Sequence, residues 1–281
     1  MIAGIAIVRH DDVNSFAERA TPWLMQAEAE HNLLLSIIEQ LRVNPLNYGP
    51  PYLATIEEHG AVAGCAFRTP PYKLGLTRMP HGAIPLLVND VAQMFDDLPA
   101  VLGPAAQARA FAEAWAACRG PAAHPGMRHR IYELHAVEFP ETMPTGELRH
   151  AGRRDLNLVV GWLQEFGREA KVGTANTAAF VEGHINSKSL FVWEDEGEPR
   201  ASAVYAGRTP NGVRIGFVYT PPQFRRKGYA SACVATASQR ALDSGVEFCC
   251  LYTDLNNPTS NDIYQKIGYR PICDVMDYEF G

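Results

Sequence analysis

The segment between residues 213 and 244 constrains the fold of this chain more than any other part of it. The apolar run at residues 213–219 is typical of a strand, and Pro221 and Pro222 end it. A short basic stretch with one glycine follows, and residues 229–244 have the spacing of an amphipathic helix. Because the first amides of a helix have no partners within it, this order predicts an anion site at the turn.

The side chains of the turn favour a phosphate as that anion. Arg225, Arg226 and Lys227 place three positive charges beside the helix start, where the helix dipole also attracts negative charge. Gly228 lets the backbone approach a ligand closely. The spacing Arg225-x-x-Gly228-x-Ala230 resembles the signature of the GNAT N-acetyltransferases, Gln/Arg-x-x-Gly-x-Gly/Ala. The resemblance implies that six residues hold the pyrophosphate of acetyl-coenzyme A: Arg225, Arg226, Lys227, Gly228, Tyr229 and Ala230.

A second motif follows in the order that the same family shows. Residues 246–253 predict a strand, and Asn257 stands before a proline, which is the usual order of a helix cap and a first helical residue. The spacing from Asn257 through Ser260 to Tyr264 also resembles the family pattern. By resemblance, Asn257 and Ser260 contact the cofactor and Tyr264 gives a proton to the departing sulfur. The alternatives are that Asn257 only caps the helix and that Tyr264 only packs beside Ile263.

The strand before the basic turn has a further role in the family. There it splays from its neighbour, its free backbone groups bind the pantetheine arm, and one amide polarises the thioester carbonyl. Phe217, Val218 and Tyr219 occupy that place in this chain. We therefore expect their backbones to bind the cofactor and their side chains to be mostly structural.

The general base of the reaction is missing from its usual place. Many family members carry a Glu on this strand, whereas residues 213–219 contain no carboxylate. Glu194 and Asp195 are candidates, although the acidic cluster that continues to Glu198 is more typical of an exposed turn. None of the nine histidines has metal-ligand spacing with a partner, so no metal site is predicted.

Composition limits the classes of protein that fit. The chain has 281 residues and a formal net charge of -6, and it lacks the long basic block of a nucleic-acid binder. None of its six cysteines forms a Cys-x-x-Cys pair, which favours buried reduced thiols. No apolar run reaches the length of a membrane span, and residues 1–8 lack the basic leader of a signal peptide. We expect a cytoplasmic protein.

The length suits two domains better than one. Residues 139–146 have the composition of a linker, which predicts domains at 1–140 and 145–281. The predicted order of strands and helices in the second domain resembles that of a complete GNAT domain. Two spacings repeat between the halves, in Leu53, Glu57 and Gly60 and in Leu190, Glu194 and Gly197. An Arg-Thr-Pro sequence follows each of them.

The first half lacks the basic turn around residues 85–90, so it is interpreted as a degenerate GNAT-like domain without cofactor binding. An unrelated α/β domain is the alternative. The predicted fold class is α/β, with a mixed central sheet flanked by helices in two tandem GNAT-like domains.

The resulting hypothesis is an acetyl-CoA-dependent N-acetyltransferase that acts on a primary amine by direct attack on the thioester. A non-catalytic acyl-CoA-binding sensor is the alternative from another class, and a longer acyl donor is a further one. The sequence leaves the acceptor open among small amines, amino acids, antibiotics and protein N-termini. It also leaves the oligomeric state open.

Overall fold

The structure is a computed structural model, and it describes residues 4–44, 49–170, 173 and 176–281. The chain forms two compact units that are discontinuous in sequence. Unit 1 consists of residues 1–131, 253–256 and 272–281. Unit 2 consists of residues 132–252 and 257–271.

The described residues of the first half form ten α-helices and β-strands. They are β1 (Ile5–Arg9), α1 (Val13–Leu24), α2 (Asn32–Val43), β2 (Tyr52–Glu58), β3 (Ala61–Arg68), β4 (Leu74–Leu76), α3 (Ala83–Met94), β5 (Ala100–Pro104), α4 (Ala105–Arg119) and β6 (Ala123–Leu134).

The second half repeats these ten elements in the same order. They are β7 (Glu147–His150), α5 (Leu156–Ala170), α6 (Thr177–Asn186), β8 (Leu190–Asp195), β9 (Glu198–Arg208), β10 (Gly212–Tyr219), α7 (Tyr229–Asp243), β11 (Phe248–Asp254), α8 (Pro258–Lys266) and β12 (Arg270–Phe280). The predicted tandem α/β fold is therefore confirmed, and the first half is not an unrelated domain.

The sheet of unit 1 mixes parallel and antiparallel pairs. β1, β2, β3 and β4 pair antiparallel in sequence order, and β4 pairs parallel with β5. The C-terminal strand β12 then pairs antiparallel with β5, from Val275 opposite Pro104 to Glu279 opposite Ala100. The last residues of the chain thus belong to unit 1. The predicted domains at 1–140 and 145–281 are continuous segments, and those boundaries stay a prediction.

In unit 2, β7, β8, β9 and β10 pair antiparallel, and β10 pairs parallel with β11. Each unit has one hydrophobic cluster with its first two helices and another with its next two helices. In unit 2, Trp162 and Val181 belong to the α5 and α6 cluster, and Val234 and Tyr264 belong to the α7 and α8 cluster. The strands between the clusters supply the rest of both cores, as a sheet covered by helices requires.

The bounds of several elements differ from the predicted ones. The helix predicted at residues 88–95 begins at Ala83, because Pro85 lies in its first turn, where a helix tolerates proline. The strand predicted at 131–137 is β6, which begins at Ala123. β4 and β5 were not predicted, because such short strands show too little alternation. Residue 3, the first of the predicted strand at 3–8, lies outside the described residues. Within the described ranges, no helix is both long and apolar enough to cross a bilayer.

Candidate functional site

Strand β10 is interrupted near its end. Its parallel pairing with β11 runs from Gly212 opposite Phe248 to Ile215 opposite Leu251. Its antiparallel register with β9 shifts between Gly216 and Tyr219, and Phe217 has a φ of 44°. A bulge of this kind leaves backbone groups outside the ladder and bends the strand. The end of β10 therefore has backbone donors and acceptors available for a ligand.

The bulge also exchanges the faces on which the side chains lie. Val213 and Ile215 belong to the cluster of α7, whereas Phe217 and Tyr219 belong to the cluster of α5 and α6. One extra residue in a strand has this effect because side chains alternate between the faces. Val218, half-buried, packs with the α7 cluster instead. These positions agree with the predicted structural role of the three side chains.

The segment from β10 to α7, residues 220–228, is called the β10–α7 turn below. It contains two left-handed residues, Arg226 at φ 64° and Gly228 at φ 84°. Residues 225–228 are exposed, and none of the side chains that the structure describes caps the start of α7. A Cβ on Gly228 would lie at an ordinary 3.6 Å from Pro144, so this glycine is needed for its torsion rather than for space. The first amides of α7 thus face an open, exposed turn.

The three cations of the turn differ in their surroundings. The Arg225 guanidinium donates to both Glu169 carboxylate oxygens at 2.8 Å, and its Nε donates to the Thr220 carbonyl at 2.8 Å. Arg226 and Lys227 make no ion pair or side-chain hydrogen bond with any residue that the structure describes. Arg225 therefore fastens the turn to α5, and two cations remain free for an anion.

The carboxylates of α5 were missed in the sequence. The Tyr219 hydroxyl donates to the Glu165 carboxylate at 2.8 Å. Burial is the largest cause of the raised pKa of Tyr219, and this hydrogen bond is the second. Glu165 and Glu169 are four residues apart and so share one helix face. That spacing was readable, but nothing in the sequence shows that this face of α5 meets the end of β10.

Tyr229 has an anchoring side chain. Its ring is buried, and its hydroxyl donates to the Asp195 carboxylate at 2.5 Å. This bond, together with one from Thr145, lowers the pKa of Asp195. The first residue of α7 is thereby tied to the end of β8. Its backbone amide is the part of Tyr229 left for a ligand, as it is for the half-buried Ala230.

Glu194 and Asp195 do not lie in an exposed turn, and that prediction is wrong for both. Asp195 is 7% exposed, and Glu194 is half-buried in ion pairs with Arg149 at 2.5 Å and Arg154 at 2.9 Å. The bond from Arg149 is the main cause of the lowered pKa of Glu194. Carboxylates held in this way are poor bases, because their charged form is already stabilised. The exposed part of the cluster begins at Glu196.

Tyr264 lies on α8 and is only 6% exposed. Its ring centroid lies 6.0 Å from that of Tyr269, and no described residue is a hydrogen-bond partner of its hydroxyl. Burial raises the pKa of Tyr264 above its usual range. The phenol therefore stays protonated at neutral pH and keeps a donor available. Packing and proton donation are both compatible with this position.

Asn257 caps α8. Its side-chain oxygen accepts a hydrogen bond of 3.1 Å from the Ser260 amide. This is the usual geometry of an N-cap, and Pro258 occupies the first helical position as the sequence predicts. A contact between Asn257 or Ser260 and a cofactor stays a prediction.

The corresponding turn of unit 1 lies at residues 77–82, between β4 and α3. The predicted place for it, residues 85–90, is inside α3 instead. The amides of Ala83 and Ile84 donate to the carbonyls of Pro80 at 2.9 Å and His81 at 3.3 Å. Both residues are buried. The start of α3 is thus closed by its own turn, in contrast to the start of α7.

Comparison with known proteins agrees with this geometry. The family model described as "Acetyltransferase (GNAT) family" matches residues 129–269, which is half of the chain and includes the β10–α7 turn and Tyr264. The chain belongs to the GNAT acetyltransferase family. Acetyl transfer from an acyl-CoA is the general chemistry of that family. The curated proteins include no match to this GNAT chain.

Solved structures show the same fold over nearly the whole length. A GNAT-family acetyltransferase from Colwellia psychrerythraea has a TM-score of 0.60 at 13% identity and covers 98% of this chain and 100% of its own. A GCN5-related N-acetyltransferase from Sphaerobacter thermophilus has a TM-score of 0.63 at 15% identity, covering 97% and 94%. A tandem GNAT protein from the clavulanic acid biosynthesis pathway has a TM-score of 0.55 at 11% identity, covering 98% and 97%. At these identities the likeness concerns the fold alone.

Proposed function

We propose that unit 2 is an acetyl-CoA-dependent N-acetyltransferase that moves an acetyl group to a primary amine by direct attack. The open β10–α7 turn carries this proposal. Among the described residues, it combines two left-handed residues, a start of α7 that no side chain caps and two cations without an ion pair. Successive amides in a turn and the positive end of a helix both favour a phosphate. The turn therefore fits the pyrophosphate of coenzyme A.

The residues of this chain divide the binding work. Backbone amides from Arg226 to Ala230 hold the pyrophosphate. The exposed side chains of Arg226 and Lys227 add positive charge, which solvent and salt partly screen. The unpaired backbone groups around Phe217 hold the pantetheine arm beside the interrupted strand. Acetyl-CoA, when bound, supplies a thioester that is reactive toward amines. Arg225 acts through the shape of the turn, because its guanidinium is taken by Glu169.

Tyr264 is the proposed donor to the leaving sulfur. Its pKa is raised by burial, so it stays protonated through the neutral range. A thiol has an unperturbed pKa of about 8.5, which makes this tyrosine the weaker acid. Its main contribution is therefore a hydrogen bond that strengthens as negative charge grows on the sulfur. Rapid full proton transfer then follows through solvent or the new product.

The amine must be neutral when it attacks. The strand β10 carries no carboxylate, and Glu194 and Asp195 are held in their charged form by hydrogen bonds. We therefore assign proton removal to water or to an acceptor whose own pKa is low. This assignment predicts a rate that rises with pH until the acceptor amine is deprotonated.

Two measurements test the proposal. Calorimetric titration with acetyl-CoA tests binding, and absence of heat at concentrations far above a typical cofactor affinity would remove the proposal. Release of free thiol in the presence of a broad panel of primary amines tests turnover. Binding without thiol release for any amine would favour the non-catalytic acyl-CoA sensor, which the carboxylate-free β10 also motivates. Competition among donors of increasing chain length then identifies the acyl group.

A further inference from the structure

Unit 1 contains a cleft that lies apart from the turn at 77–82. It has a volume of about 550 Å³, within the range of roughly 300–1,000 Å³ typical of small-molecule sites. Its apolar lining includes Pro71, Leu98, Pro99 and Phe280. Two arginines and two aspartates complete it. The lining is thus apolar in part and balanced in charge.

Arg68 is the unusual residue of this cleft. It is the last residue of β3, it is 8% exposed, and its guanidinium carbon lies 4.3 Å from the centroid of the Phe95 ring. Its Nε donates to the Tyr72 carbonyl at 2.9 Å. No carboxylate of the described residues lies within ion-pair distance of it. Burial lowers the pKa of Arg68, although an arginine stays charged.

Among the described residues, Arg68 thus has a carbonyl and an aromatic ring as close partners but no ion pair, although it is largely removed from water. The repeat offers a comparison. Arg208 ends β9 as Arg68 ends β3, and Thr-Pro follows both, yet Arg208 is exposed. The fold therefore does not require burial of this arginine. A ligand anion in the cleft would give Arg68 the ion pair that it lacks among the described residues.

The opposite charge lies at the rim. Asp96 and Asp97 line the cleft and are exposed, and Asp97 is the acidic neighbour that acts on Arg68. The second arginine, Arg119, is occupied, because it donates to the carbonyls of Ala92 and, at 3.0 Å, Phe95. Among the described residues, the cleft thus has one cation inside that makes no ion pair and two carboxylates at its rim.

We propose that this cleft binds a free amino acid with an apolar side chain, whose carboxylate pairs with Arg68 and whose ammonium faces Asp96 and Asp97. A planar guanidinium holds a carboxylate with two parallel hydrogen bonds. The prolines and Phe280 contact the apolar side chain. The site lies in unit 1 and does not depend on acetyl transfer by unit 2.

Three probes of similar shape, titrated by calorimetry, separate the contribution of the carboxylate to binding from that of the ammonium group. They are L-phenylalanine, 3-phenylpropionate without the ammonium, and 2-phenylethylamine without the carboxylate. L-phenylalanine is expected to bind most tightly and 3-phenylpropionate more weakly. Equal or tighter binding of 2-phenylethylamine, or no binding of any probe up to about 10 mM, overturns the proposal. This titration is independent of acetyl-CoA, so its failure leaves the proposed function of unit 2 intact.

Variants place the binding in unit 1. Arg68→Gln is expected to weaken L-phenylalanine binding about 30-fold, because it removes one partner of a buried charge pair. Arg208→Gln is the matched control and is expected to leave binding unchanged. Asp97→Asn is expected to lower the affinity of L-phenylalanine toward that of 3-phenylpropionate. Unchanged affinity in Arg68→Gln, or an equal loss in Arg208→Gln, overturns the proposal.

Arg68→Lys covers the case in which Arg68→Gln does not fold. Lysine keeps the charge but lacks the planar fork, so roughly tenfold weaker binding is expected. The double substitution of Asp96 and Asp97 by Asn leaves Arg68 in place and is expected to remove the preference for L-phenylalanine over 3-phenylpropionate. Full affinity in the first variant and full preference in the second would reject the site.

Discussion

The β10–α7 turn and its counterpart between β4 and α3 occupy the same place in two copies of one fold, yet only one of them is open. Unit 1 uses residues 77–82 and unit 2 uses the longer 220–228. Gly82 has an ordinary φ of −66°, whereas Arg226 and Gly228 are left-handed. Three more residues and two changed torsions separate a helix start closed by its own turn from one that faces solvent.

The fourth helix of each half, α4 in the first and α8 in the second, also differs between the two halves. α8 carries Tyr264, whereas α4 contains no tyrosine. Unit 1 thus has neither the open turn nor a counterpart of the proposed donor Tyr264, although its described residues form the same ten helices and strands in the same order. If the proposed function is correct, a few residues in one turn and one helix distinguish the two units, and the shared framework does not determine function.

One feature is common to both units. Arg78 in the unit 1 turn pairs with Glu30 at 2.7 Å, and Arg225 in the unit 2 turn pairs with Glu169 at 2.8 Å. In each case the carboxylate lies at or after the end of the first helical region of the unit. Because the pair is present where the turn is closed, it serves the fold. Arg225 is therefore not what distinguishes unit 2.

Removal of residues 272–281 tests the division into units and has the largest expected effect. It takes β12 from unit 1, together with the buried Cys273 and Val275. A loss of about 5 kcal/mol is expected, comparable to the whole stability of a domain. Hydrogen exchange should show lost protection in β2 and β3 and retained protection in β8 and β9. The reverse pattern would contradict the division.

Gly228→Val tests the open turn. A branched residue is strained at φ 84° and narrows the approach to the amides, so affinity for coenzyme A should fall about 100-fold, the loss of two charge-assisted hydrogen bonds. Gly82→Ala is the control in unit 1, because φ −66° suits any residue. Calorimetry with coenzyme A measures both. Equal affinity of Gly228→Val and the wild type would move the cofactor away from this turn.

Tyr264→Phe tests the second difference between the units. Turnover should fall roughly tenfold to a hundredfold, at the low end of what a positioned proton donor contributes, with coenzyme A binding unchanged. The pKa of Tyr264 is raised, so its deprotonation should not limit the wild-type rate between pH 7 and 9. Tyr269→Phe is the control. It removes a core hydrogen bond to Ser238 and should lower the melting temperature without lowering the rate per folded molecule. Full activity of Tyr264→Phe would leave Tyr264 a packing role.

Arg225→Gln and Glu169→Gln test the shared ion pair and have the smallest expected effect. Both should weaken coenzyme A binding by the same factor of about three, because each opens a partly exposed pair worth up to about 1 kcal/mol. Arg78→Gln in unit 1 should leave that affinity unchanged. A larger loss in Arg225→Gln than in Glu169→Gln, shrinking at high salt, would mean that Arg225 contacts the pyrophosphate directly.

Much of unit 2 could be predicted because its signals are local. Gly212–Tyr219, Tyr229–Asp243 and the cap at Asn257 follow from apolar spacing, proline and cap residues within a few positions. The left-handed torsion at Gly228 also follows from residue type. The same torsion at Arg226 could not be read, because a non-glycine residue gives no such signal.

The missing parts depend on contacts between distant residues. The pairing of Arg225 with Glu169 joins residues 56 apart, and the bond from Tyr229 to Asp195 joins residues 34 apart. Asp195 looked like part of an exposed acidic turn because its neighbours to Glu198 are charged. Whether one carboxylate within such a run is buried depends on the residues that pack against it. Those residues are distant in sequence, so the run itself does not predict the burial.

The sequence by itself determined the family, the repeated order of elements and the residues of the basic turn, because helices, strands and turns follow from neighbours along the chain. Tertiary structure decided which cations of the turn are free, which carboxylates are held in ion pairs, and that the chain ends as a strand of unit 1. It also decided the burial of Arg68 and the exposure of Arg208, although both stand before Thr-Pro. The physical reason is that charge, burial and strand pairing depend on residues brought together across the fold.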